Sequence, residues 1–208
     1  MMFRRDPGPQ LITLGLWRFA VAGMVCGILA FGASAAHADG EFLQLDLSET
    51  TATGTLSIAR GPLTYGASAV SYDGGRTYGV SATWQLPVAP QFVTLRIGPA
   101  LGHVMKDGAD GSSEAGIKLV AERYIPTDFG SVFLLAELNS IENSRFVLAQ
   151  LGLSAPGAAI ELSHGESETY SETTLAVAKR FGDGPTSLRA GYRFEAEELF
   201  VGLSINSF

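Results

Sequence analysis

The chain has 208 residues, with 14 Lys and Arg against 21 Asp and Glu, a net charge of −7 and one cysteine, Cys26. So acidic a chain offers no basic surface for phosphate, which excludes nucleic acid as a partner. A single cysteine excludes an intrachain disulfide framework.

The first 38 residues read as an address. "MMFRRDPGPQLITLGLWR" supplies Arg4, Arg5 and Arg18, "FAVAGMVCGILAFG" is uncharged and apolar, and "ASAAHA" places small residues at Ala36 and Ala38. That order predicts a secretory signal peptide over 1–38, cleaved after Ala38. The apolar run 19–31 falls short of the roughly 20 residues that cross a bilayer as a helix. "GMV" before Cys26 lacks the pattern of a lipoprotein cleavage site, so Cys26 is an ordinary member of the apolar run. Residues 39–208 then form one domain with 11 basic and 20 acidic side chains, net −9.

From Glu41 onward the period is two. "YGVSATWQLP" (78–87) separates into an oily set, Tyr78, Val80, Ala82, Trp84 and Leu86, and a polar set, Gly79, Ser81, Thr83 and Gln85. Alternation of this kind gives a strand with two unlike faces. Such segments recur at about 42–48, 53–60, 63–72, 77–86, 91–99, 114–123, 131–140, 145–153, 158–165, 172–181, 186–194 and 198–206. The expectation is an all-β fold, an antiparallel up-and-down transmembrane barrel of about twelve short strands, with eight to ten as the alternative count.

The connections alternate in chemistry. Proline occurs in "GP" (61–62), "PVAP" (87–90), "YIPTDFG" (124–130), "SAPG" (154–157) and "GDGP" (182–185); of seven prolines after residue 38, only Pro99 falls elsewhere. The intervening connections lack proline and carry acid. One end of an up-and-down structure is therefore tight and proline-bearing and the other acidic, as in an outer-membrane barrel with short periplasmic turns and polar external loops. Bulky residues keep one parity and Gly, Ser and Thr the other, and the aromatics Tyr65, Tyr78, Trp84, Phe92, Phe181, Tyr192 and Phe194 lie near strand ends, as interfacial girdles require. The oily face is expected to meet lipid.

With that orientation the inward charges are Asp46, Arg96, Lys118, Glu122, Glu137, Glu161, Arg180, Arg189 and Arg193. They form either a salt-bridged filling or a narrow polar passage. An external acidic rim is expected from Asp107, Asp110, Glu166, Glu168, Glu172, Glu195, Glu197 and Glu198. Phe208, ending an alternating last strand, matches the assembly signal read by the barrel-assembly machinery. Its parity differs from Leu203 and Ile205, which predicts a bulge near Asn206–Ser207.

No metal or other cofactor is expected, because "DGADGSSE" (107–114) lacks the spacing of a calcium loop. The acidic loops would at most hold divalent cations weakly, bridging to lipopolysaccharide phosphates. His103 and His164 lie at the acidic ends of strands. His164, with Ser163, Ser167, Glu166 and Glu168 nearby, has the residue types of a lipid hydrolase, but no motif fixes a nucleophile, and the chain is read as no enzyme.

"SLRAGYRF" (187–194) with "LFVGLSINSF" (199–208), and the hairpin "SYDGGRTYGVSATWQLPVAP" (71–90), resemble the YfaZ-type small outer-membrane proteins. The resemblance implies an outer-membrane barrel and supplies no chemistry. The function expected is an integral outer-membrane barrel with a structural or surface role, or a narrow, weakly cation-preferring passage for small solutes, in contact with outer-membrane lipid and lipopolysaccharide. The alternatives are an outer-leaflet lipid hydrolase using His164 and a soluble periplasmic lipocalin-like carrier.

Overall fold

The computed structural model describes residues 39–108, 110–168 and 170–208; the expected signal peptide, 1–38, lies outside them. Twelve strands follow in order: β1 (Glu41–Leu47), β2 (Ala52–Arg60), β3 (Leu63–Tyr72), β4 (Gly75–Leu86), β5 (Thr94–Lys106) and β6 (Ser112–Thr127). The second half holds β7 (Gly130–Asn139), β8 (Ser144–Leu153), β9 (Ala158–Glu166), β10 (Ser171–Arg180), β11 (Thr186–Arg193) and β12 (Glu198–Asn206). Each pairs antiparallel with its sequence neighbours, and β1 pairs with β12, so the sheet is a closed barrel without a free edge.

Followed from strand to strand, the registers advance by about 14 residues in one circuit, giving a strand tilt of about 40° and a backbone radius of about 12 Å. At that tilt a ten-residue strand rises about 25 Å, the height of the apolar band of an outer-membrane barrel.

The parity expected from the sequence is the parity observed. In β4, Val80 and Trp84 are about half exposed on the outside while Thr83 is buried within. Outward Leu101, Ile117, Leu138, Leu162, Val177 and Val201 are likewise exposed, and no large side chain is fully buried among the described residues. A barrel that turns most of its bulk outward and its polar and small side chains inward suits lipid outside and polar contents inside.

The connections between strands put 61–62, 87–93, 128–129, 154–157 and 181–185 at one end and 48–51, 73–74, 107–111, 140–143, 167–170 and 194–197 at the other. All are short. Gly74 takes φ +97° to close the two-residue turn between β3 and β4. Two boundaries expected from polarity move. The connection expected between the strands at 91–99 and 114–123 contracts to 107–111, because β5 and β6 stay paired through His103↔Ser113. Pro126 belongs to β6, opposite Ser131. Pro99 sits where the β4–β5 ladder skips a step, between Ser81↔Ala100 and Trp84↔Ile97, so its missing N–H breaks no bond there.

The expected bulge near Asn206–Ser207 is absent. The β1–β12 register runs unbroken to Phe42↔Asn206, and the Ser207 N–H still donates to the Glu41 carbonyl at 2.9 Å. Phe208 lies past the strand, its ring in the space a Gly40 side chain would fill.

Candidate functional site: the charged lumen

Two walls of the bore carry charge, and they differ in wetness. On the first, Arg96 of β5 donates through both Nη atoms to Glu122 Oε1 on β6, each at 2.6 Å. Lys118 Nζ of β6 lies 2.8 Å from Glu137 Oε2 on β7. Arg96 faces Val120 and Lys118 faces Asn139 in register, so each base reaches a carboxylate one strand over and two residues along. These four side chains keep 12–28% of their surface exposed although they point inward. Water reaches this wall.

The second wall is dry. Arg189 of β11 donates from Nε to Asp46 Oδ1 at 3.0 Å and from Nη1 to Glu161 Oε2 at 2.6 Å. Its partners lie two strands away on either side, on β1 and β9. The span is possible because the intervening residues are small: Gly202 of β12 pairs with both Arg189 and Asp46, and Ala178 and Ala176 of β10 pair with Arg189 and Glu161. The remaining carboxylate oxygens are filled by Gln44 Nε2 on Asp46 at 2.7 Å and Gln150 Nε2 on Glu161 at 2.9 Å. A fully partnered network is the condition for burying an arginine and two carboxylates.

Above it, Arg193 donates to Ser48 Oγ at 2.9 Å and Thr53 Oγ1 at 3.2 Å, lies 3.6 Å from Glu198 and stacks 5.3 Å over the Phe200 ring. Arg180 departs from the expected lumen: it ends β10 at the proline-bearing opening, exposed although its backbone still pairs with Ser187.

The acidic rim needs correction at several positions. Glu198 has inward parity and is buried, accepting hydrogen bonds from Ser48 Oγ (2.6 Å) and the Thr50 N–H (3.0 Å). Glu172 also turns inward and is buried, accepting from the N–H groups of Glu195 and Ala196 at 3.0 and 3.1 Å. Both cap turn amides that would otherwise lack partners. Glu195 accepts the Thr173 N–H at 2.5 Å and its hydroxyl at 2.9 Å, and the backbone bond foremost holds its carboxyl down at about 2. Glu166 is bound to Arg145 at 2.8 and 3.0 Å, and Glu168 accepts from Asn143 at 2.7 Å. Asp107, Asp110 and Glu197 stand exposed, as expected.

At this acid-bearing mouth the connection 140–143 folds over the inner wall. Ile141 is buried where side chains on Gly102 and Gly116 would collide with it, and the inward parity of both glycines places Ile141 at the lumen side. Glu142 and Asn143 follow with φ +50° and +47°, a left-handed pair that turns the loop in. No feature of the 140–144 stretch singles Ile141 out; only glycine at inward positions 102 and 116 hints at a guest.

His164 faces outward, so Ser163 beside it faces the lumen and cannot serve it. Its hydroxyl neighbour is Thr173, with Nδ1 3.0 Å from Oγ1, while Nε2 lies 3.8 Å from Glu166. Because the Thr173 hydroxyl donates to the Glu195 carboxylate, its proton is not offered to His164. His103, also outward, meets Ser113 Oγ at 2.8 Å.

No protein-family model matches the chain, and no curated protein matches it in sequence. Among solved structures it is similar to the KdgM porin, with TM-score 0.50 and 12% identity over 81% of this chain and 99% of that one. The translocator domain of the autotransporter NalP from Neisseria meningitidis gives TM-score 0.37 and 14% identity, over 94% and 96% of the two chains. In strand order, closure and the face it turns outward, the chain is a twelve-stranded antiparallel β-barrel of the outer-membrane type.

Proposed function

We propose that this barrel is a narrow outer-membrane channel for small hydrophilic solutes with a weak preference for cations. The observation that carries the proposal is the wet wall of Arg96, Glu122, Lys118 and Glu137, charged side chains that solvent reaches inside a closed ring. Twelve strands lie between the eight that side chains fill and the sixteen of an open porin. Inward ion pairs on both walls narrow the bore further, which favours small solutes. Exposed acids at one mouth, among them Asp107, Asp110 and Glu197, raise the local cation concentration there, an effect that salt screens.

The same proposal includes export through the signal peptide, insertion by the barrel-assembly machinery, and contact with outer-membrane lipid and lipopolysaccharide. It includes kinship with the YfaZ-type proteins, carried by segments that form β4 and the β11–β12 hairpin. It assigns no catalysis, supported by the engagement of the Thr173 hydroxyl with Glu195.

Single-channel recording on refolded protein tests it. Small openings are expected, with a cation-directed reversal potential at low salt that fades as salt rises. A silent bilayer beside a conducting control porin, or porin-sized anion-selective openings, would overturn it.

A further inference from the structure

The lipid-facing surface is not evenly filled. An apolar trough of about 560 Å³ crosses the outside of β6 to β10. Its floor is alanine: Ala121 faces Ala136 across β6–β7, and Ala149 follows on β8. Leu134 and Leu162 rise at its sides, both well exposed.

The two ends of the trough differ in charge. At the acid-bearing side His164 stands among carboxylates, with Glu166 at 3.8 Å and Glu195 one hydroxyl away through Thr173. At the other stands Arg123, exposed, with no hydrogen bond or ion pair from its side chain to any described residue. The other basic residues with outward parity near that end are engaged: Arg60 pairs with Glu41 at 2.5 Å, and Lys179 donates to the Pro156 carbonyl. Arg123 lies four residues from the end of β6, about 10 Å along the barrel axis, within reach of the interface for a side chain that extends its head toward water.

We propose that Arg123 and this trough form a binding site for one glycerophospholipid of the leaflet at the proline-bearing end. The lipid phosphate accepts from the Arg123 guanidinium, and an acyl chain lies over Ala121, Ala136 and Ala149. A cation facing hydrocarbon without a carboxylate partner calls for an anionic group delivered from the membrane, and a planar guanidinium suits phosphate oxygens. The opposite orientation would place the phosphate against the Glu195 carboxylate, which repels it, and beside an Arg145 already committed to Glu166.

Native mass spectrometry of the refolded barrel in mild detergent tests the site with three probes: phosphatidylglycerol, a diacylglycerol of the same chains, and lipid A. Wild type should retain one phosphatidylglycerol at ratios where diacylglycerol and lipid A leave none. Arg123→Gln should lower that occupancy tenfold or more, Arg123→Lys should keep most of it, and Ala149→Leu, which fills the floor, should lower it with Arg123 intact. Heat-modifiable gel migration confirms that each variant is folded; the lysine and leucine variants still decide the matter if the glutamine variant is not. Equal retention of diacylglycerol or lipid A, or wild-type occupancy in Arg123→Gln or Ala149→Leu, would overturn the proposal. None of these readouts depends on whether the lumen conducts.

Discussion

Replacing Arg189 by methionine should be the most damaging single change in the barrel wall. Its guanidinium is 4% exposed and binds two carboxylates, Asp46 and Glu161, that are themselves 5% and 8% exposed. Removing one member of a buried ion pair costs about 3–5 kcal/mol, because the remaining charge stays desolvated without a partner. Here two carboxylates are stranded, so the upper part of that range applies. Domains are stable by only about 5–15 kcal/mol, so the loss is a large fraction of the total. Asp46 lies on β1, and the network crosses Gly202 of β12, so the weakened place is the seam where the barrel closes. Urea titration in detergent micelles, followed by the emission of lipid-facing Trp84 and by heat-modifiable gel migration, measures the effect. The triple variant Asp46→Asn, Glu161→Gln, Arg189→Met removes every charge together and should recover to within about 1–2 kcal/mol of wild type. A single variant within about 1 kcal/mol of wild type, or a triple variant no better than the single, would refute the reasoning.

Gly202→Ala would bring a methyl onto Asp46 Oδ1 and the Leu45 carbonyl, so the yield of heat-modifiable barrel should fall sharply, whereas Gly54→Ala, which meets only the end of Leu45 at 3.3 Å, should fold normally. Ile141→Ala empties the notch over Gly102 and Gly116, and single-channel recordings should show larger, noisier openings; unchanged openings would mean the loop does not limit the mouth. Glu195 titrates near 2 when folded, against about 4.3 for an unfolded glutamate. Its contribution is therefore complete above about pH 4.5 and lost as the pH falls toward 2, so the stability advantage of wild type over Glu195→Gln should shrink across that window. An advantage that stays constant there would contradict the assigned hydrogen bonds.

Alternation along each strand is a local property, so the sequence by itself determined which face Val80, Trp84, Arg96 and Arg189 occupy. The confinement of proline to every second connection, Pro99 apart, determined that the strands run up and down. Those two facts carry the antiparallel up-and-down form and the split between an oily and a polar face, because side-chain parity and turn chemistry act over a few residues. The count of twelve and the closure of β1 on β12 appear only in the structure. Nor do the two facts say which inward charge meets which. Arg189 and Asp46 are 143 residues apart in sequence and meet only because the registers of β11, β12 and β1 bring them level over Gly202. Glu172 and Glu198, grouped with the rim by their place in the chain, share the inward parity of Ala176 and Phe200 and are held inside by the turn amides of Glu195, Ala196 and Thr50. Ile141 finds its notch on β5 and β6, two elements before its own loop. The tilt and stagger of a closed sheet decide such meetings. They are summed over twelve registers, and no single stretch of sequence contains that sum.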